Sequence, residues 1–297
     1  MITNRYEYID ALRGMAILFI VFGHIPMYCY GLVETAQFLS FRAFTSLVQL
    51  PLFFFISGFL FNIKTTFNKS GGIKFEYIYR KVRQLLLPAI MFGGIYLLVN
   101  GASLQECLVD KYKSGYWFTW LLFEFLMIQV MLESIAKKFI WKEGGTKYAM
   151  VCIGIAFIVY VMSIPAVCLR FGDISGFLGL PLFRYYLYFV VGRLVRVHLH
   201  KVCVWKYRDV VVTGIVVLFI CMAVIVWGLR YECTGLLFHV CMVVFELSAL
   251  LLFFATFYRH RDYFAVSGKL VRILVLVGRR TLDIYLLHYF FCLKIYM

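Results

Sequence analysis

LRGMAILFIVFGHI, residues 12–25, decides how this chain folds. It is an apolar run that reads as a helix embedded in lipid. An arginine stands at its inner end and a histidine deep inside it. Ionisable groups are expensive in hydrocarbon and are kept there for a purpose. Arg13 and His24 are eleven residues apart, which on a helix puts them within about 20° of the same face and roughly 16 Å apart along the axis. Asp10 lies one turn before Arg13 and is in range to pair with it. The stripe Asp10, Arg13, Ile17, Ile20, His24 is therefore expected to look into a helical bundle.

The remainder of the chain supports a lipid-embedded reading. Of 297 residues, 63% are hydrophobic and 15% charged, and the mean hydropathy is +0.87. A soluble protein of this size would not stay soluble with so much apolar surface. The opening span carries no small-residue cleavage site and is expected to stay in the membrane. Nine cysteines occur without CxxC or Cys/His metal spacing, several inside apolar runs. They read as small hydrophobes, with no metal site.

Nine segments match the thickness of a hydrocarbon core, near 9–29, 43–63, 84–100, 116–135, 148–169, 177–197, 209–228, 234–258 and 281–297. Segment 177–197 is interrupted by Pro181 and Arg184. The alternate connections 64–83, 137–147, 193–208 and 258–280 hold six, four, five and six Lys and Arg, whereas the other loops together hold five. That alternation places the N-terminus in the cytoplasm. It also accounts for the net charge of +15 without a nucleic-acid partner. The expected fold is an all-α polytopic membrane bundle of about nine or ten spans, a single membrane-embedded domain over 1–297 with no soluble domain.

Further polar groups fall inside the apolar segments. Glu124, in "YWFTWLLFEF" (116–125), lies at a depth near that of His24. It could orient His24 or pair with Arg184, and the sequence does not choose between them. Arg80 and Arg83, in "YRKVRQLLLP" (79–88), are one turn apart and suit phosphate oxygens, or serve simply as topogenic charge. Ser57 and Gly58 in "QLPLFFFISGFLF" (49–61) read as a packing seam. His239, Glu246, Asp283 and His288 complete the set and suggest a hydrated interior.

Taken in order, "YIDALRGMAILFIVFGH" (8–24), "PLFFFISGFLF" (51–61), "RKVRQLLLP" (80–88), "WFTWLLFEF" (117–125), "FRYYLYFVVGRLV" (183–195) and "GRRTLDIYLLHYF" (278–290) resemble the acyltransferase-3 group of integral membrane O-acyltransferases. The likeness covers nearly the whole chain, and the arginine and histidine of the first span are its most specific part. It implies transfer of an acyl group, usually acetyl, from cytoplasmic acyl-CoA to a carbohydrate hydroxyl. It also implies that Arg13 and His24 form the essential pair and that Arg80 and Arg83 lie near the CoA phosphates. A tenth span is not visible.

The sequence therefore leads to a membrane O-acyltransferase. His24, Arg13 and Glu124 are its catalytic candidates. Arg80, Arg83 and Arg13 are its candidates for holding acetyl-CoA or another acyl-CoA donor. The acceptor is a glycan or lipid-linked sugar of the envelope, and the protein is placed in the bacterial cytoplasmic membrane. His24 acts as a general base or as an acyl carrier, both of which need a neutral ring. The alternative function is a carrier or exporter of a small polar or glycan-linked substrate through the same polar interior. Oligomeric state is left open, a homo-oligomer included.

Overall fold

The computed structural model describes residues 6–29, 36–68, 71–100, 103–138, 145–199, 206–230, 236–266 and 268–292. Its main helices are α1 (Glu7–Cys29), α2 (Ala36–Phe59), α3 (Phe75–Lys81), α4 (Leu87–Asn100), α5 (Trp117–Lys138), α6 (Thr146–Met162), α7 (Tyr186–Val197), α8 (Tyr207–Arg230), α9 (Leu236–Arg259), α10 (Lys269–Arg279) and α11 (Thr281–Cys292). Extended pairing among the described residues is limited to one bridge, Phe67 with Ile73. The all-α expectation holds.

Three stretches among the described residues are long and apolar enough to cross a membrane unaided: Trp117–Lys138, Tyr207–Ile225 and Phe238–Arg259. Exposed apolar side chains follow helical spacing on several helices. Val212, Ile215, Val216, Phe219 and Ile220 form such a stripe on α8, and Met150, Ile153, Phe157 and Ile158 form another on α6. An apolar stripe turned away from the protein interior is what a helix presents to lipid.

Several boundaries differ from the sequence reading, each for a local reason. The expected third span, 84–100, is the later part of a helical run that begins at Phe75, with a π-helical turn at Val82–Leu86 joining α3 to α4. Pro88 has no N–H for the carbonyl of Gln84, and its ring crowds that carbonyl. The widened turn sits at that point. The expected fifth span ends at Met162, seven residues early, because Ile164 before Pro165 is held extended (φ −67°, ψ 132°). The interruption read from Pro181 is present: Leu180–Tyr185 is 3₁₀ helix, entered from Gly179 at φ 63°, and α7 starts only at Tyr186. Within the basic connection 258–280 lie a short helix, Arg261–Val266, and α10.

The chain forms two compact units, residues 1–56 with 199–297, and residues 57–198. In the first, α1 packs along α10 and also meets α9 and α11, while α8 pairs with α9. Two glycines set the α1–α10 approach. A Cβ on Gly14 would overlap the carbonyl oxygen of Leu274, and one on Gly278 would overlap that of Asp10. Tyr8 packs edge-on against Tyr258 at 5.7 Å, and Phe55 against Phe254 at 5.2 Å. Cys221, Ile225 and Phe245 form a buried cluster shared by α8 and α9, which fits the reading of membrane cysteines as small hydrophobes.

In the second unit, Phe125 on α5 meets Phe183, Tyr186 and Phe189 edge to face. Gly58 lies against the Phe189 backbone, where a Cβ would overlap the carbonyl, so this glycine serves the packing seam. A buried polar network ties α5, α6 and α7 together. Glu133 Oε1 accepts from Arg193 Nε at 3.1 Å, Gln129 Nε2 at 3.0 Å and the Tyr148 hydroxyl at 2.5 Å. The Tyr186 hydroxyl donates to Gln129 Oε1 at 3.2 Å. Arg193 and Glu133 are 3% and 2% exposed. A pair this dry holds because the charges face each other, Glu133 accepts from further donors, and the Arg193 guanidinium also lies over the Phe61 ring at 5.4 Å. Arg193, which the sequence suggests is a cytoplasmic topogenic charge, is a core residue.

Candidate active site

Five candidates fall into the two units: Arg13 and His24 in the first, Arg80, Arg83 and Glu124 in the second. On α1 the expected face is present. Asp10, Ile17 and Ile20 are buried, and Arg13 and His24 are half-buried. Asp10 has a described partner other than Arg13. Arg279 of α10 donates from Nε to Asp10 Oδ2 at 3.4 Å and from Nη2 to Glu7 Oε1 at 3.1 Å. Its guanidinium thus joins two carboxylates on the first turn of α1, and acids there also suit the positive end of the helix dipole. Arg279 reaches them because Gly14 and Gly278 let the two backbones approach.

At the other end of α1, His24 meets His288 of α11. His24 Nδ1 and His288 Nε2 are 3.0 Å apart. The ring planes differ by 19° and the centroids are 5.2 Å apart. That centroid spacing is close to the nitrogen contact plus the two ring radii, so both nitrogens lie near the line joining the rings. The imidazoles are joined edge to edge, nearly in one plane. His288 Nδ1 lies 2.7 Å from the Tyr285 carbonyl oxygen. His288 is buried, whereas His24 is the more accessible ring. The sequence singled out both histidines but had no means of joining them, since 264 positions separate them. Asp283 and His239 are exposed, and Glu246 is buried on α9.

Glu124 is half-buried on α5. Its Oε1 accepts from Trp120 Nε1 at 3.0 Å, one turn away. Its Oε2 is buried with no hydrogen-bond partner among the described residues. Arg184, one of its two expected partners, donates to the Tyr185 hydroxyl at 3.0 Å and stacks on that ring. Near Glu124, the buried Lys113 donates to the carbonyls of Leu108, Asp110 and Gly176 and sits over the Trp120 ring at 5.8 Å. It is a structural cation that the sequence left among the loop charges.

Arg80 lies on α3 and Arg83 on the π-helical turn, both exposed. Arg80 lines a cavity of about 280 Å³ with Lys64, Thr65, Lys74, Glu76 and Tyr77. Three cations and one carboxylate give this pocket a positive field suited to anions. Burial pushes the Tyr77 phenol up from its ordinary range, against the hydrogen bond with Thr66 and the nearby Arg80 charge, so Tyr77 stays a neutral hydroxyl. In the sequence Lys64 and Lys74 read only as topogenic charges. The chain segment that folds back at the Phe67–Ile73 bridge makes them neighbours. Among the described residues no group of three or more His, Cys, Asp or Glu could hold a metal ion.

Helices that expose apolar stripes and carry spans of membrane length define an integral membrane protein. This chain matches the model of the acyltransferase-3 family, described as an acyltransferase domain, over residues 6–297. It belongs to that family and is a membrane acyltransferase. No curated protein and no solved structure matches it.

Proposed function

We propose that this protein moves an acetyl or other short acyl group from acyl-CoA to a hydroxyl of an envelope or exported glycan. It would do so as a multi-pass protein of the bacterial cytoplasmic membrane with its N-terminus in the cytoplasm. The observation that carries this reading is the imidazole of His24, half-accessible at the end of a polar face and bonded to a second imidazole. Transfer to a sugar hydroxyl needs a base for the hydroxyl proton. His24 takes that proton as the oxygen attacks the thioester carbonyl. The carbon–oxygen bond forms, the carbon–sulfur bond breaks, and the proton passes from His24 to the departing CoA thiolate. The cavity lined by Lys64, Lys74 and Arg80 supplies the charge that CoA phosphates require. Arg13 adds a guanidinium on the same helix as the base, and Glu124 adds a carboxylate in the second unit.

The test is mass spectrometry of surface glycans from cells carrying the wild-type protein, the His24→Ala variant or neither. The expected result is one added acetyl mass with wild type only, with the variant present in the membrane at normal level. Acetylation retained by His24→Ala would overturn the assignment of the base. Uptake or efflux of a solute with no consumption of acyl-CoA would favour a carrier instead.

A further inference from the structure

The proton positions in the His24–His288 pair follow from what each atom faces. A carbonyl oxygen can only accept, so His288 Nδ1, 2.7 Å from the Tyr285 oxygen, carries the proton of the neutral ring. Its Nε2 then offers a lone pair, and the 3.0 Å contact needs a donor on the other side. That donor is His24 Nδ1–H. With its single proton on Nδ1, the neutral His24 ring holds its basic lone pair on Nε2.

We propose that His288 is the positioning residue for His24: it fixes the Nδ1–H tautomer and ring plane of His24, so that Nε2 is the atom that takes the acceptor proton. The assignment rests on the acyltransferase reading above. An imidazole without such a partner divides between two tautomers and rotates about its side-chain bonds. A second group bonded to one ring nitrogen selects the other for chemistry. Burial also separates the roles. His288 is enclosed and bonded to backbone of its own helix, whereas His24 retains access. The Tyr285 carbonyl, His288 and His24 thus form a chain of hydrogen bonds whose outer end is the reacting nitrogen.

The experiment uses full-length protein labelled with ¹⁵N-histidine in lipid nanodiscs, together with transfer of radiolabel from ¹⁴C-acetyl-CoA into the glycan fraction of membranes from the cells that carry the protein. Ring ¹⁵N shifts are expected to show His24 protonated at Nδ1 in the wild type. His288→Leu removes the lone pair and should release His24 into a tautomer mixture. It should also lower kcat about 10- to 100-fold, a fraction of the roughly 10²- to 10⁴-fold that a positioned base contributes, with KM for acetyl-CoA little changed. His288→Gln restores an acceptor oxygen near the Nε2 position and should recover both the tautomer and most of the rate. An unchanged His24 spectrum in His288→Leu, or a rate loss that His288→Gln does not repair, would overturn the positioning role. Absence of transfer by the wild type from acetyl-CoA and from other short acyl-CoA donors would overturn the function reading and the catalytic role with it, while the spectra would still report the bond between the rings.

Discussion

Arg80 owes its chemistry to Lys64, Lys74 and the neutral Tyr77 around one cavity. Replacing it with alanine removes one of three cations facing the same space. We expect Arg80→Ala to raise KM for acetyl-CoA about tenfold, the size of one lost charge-assisted bond, with kcat little changed. Steady-state kinetics across acetyl-CoA concentrations would check this. An unchanged KM would remove the pocket from donor binding. The neighbouring Arg83 shows where spacing misleads. A single helical turn would align it with Arg80, but a π-helical turn intervenes and Arg83 does not line the cavity. Arg13 and His24 were legible because both lie on one uninterrupted helix, where spacing alone gives the face. Lys64 and Lys74 were not, because a chain reversal brings them to Arg80.

The crossing of α1 with α10 depends on having no side chain at two points. Alanine at Gly278 would gain about 1 kcal/mol from helix propensity alone. Its Cβ would overlap the Asp10 carbonyl, and backbone cannot rotate away as a side chain can. The overlap should dominate and destabilise by about 1–3 kcal/mol. Thermal unfolding of Gly278→Ala in detergent should therefore show a lower midpoint than wild type. A higher midpoint would mean that the helices separate easily and that propensity decides. The same substitution moves the backbone that presents Arg279 to Glu7 and Asp10. By charge alone, 258–280 reads as a basic connection with six Lys and Arg. The exposed Leu270, Ile273 and Leu276 beside Lys269 and Arg272 follow the helical period of an amphipathic helix, a pattern that charge counting does not see.

Across the molecule, the alternation of basic and non-basic connections predicts which ends of the helices face the cytoplasm. A reporter active only outside the cytoplasm should be inactive when fused after Gly72 and active when fused after Asp173. The opposite pattern would invert the topology and put the Lys64–Lys74–Arg80 cavity on the wrong side for a cytoplasmic donor. The second unit also keeps a charged core around Glu133 and Arg193. In the alternation of basic connections Arg193 counts as one of the five charges of 193–208. Its burial depends on Glu133, which sits 60 residues earlier on another helix.

The linear chain was enough to establish the helical membrane class, the family resemblance, and a face of α1 bearing Arg13 and His24. These depend on composition, on motif order and on the 100° step between residues of one helix, all of which are local. Packing decided which groups meet: His24 with His288, Arg279 with Glu7 and Asp10, Glu133 with Arg193, and Lys64 and Lys74 with Arg80. Side-chain bonds act over about 3 Å. Which residues come that close depends on how helices cross and how the chain reverses, and no spacing along a single helix encodes either.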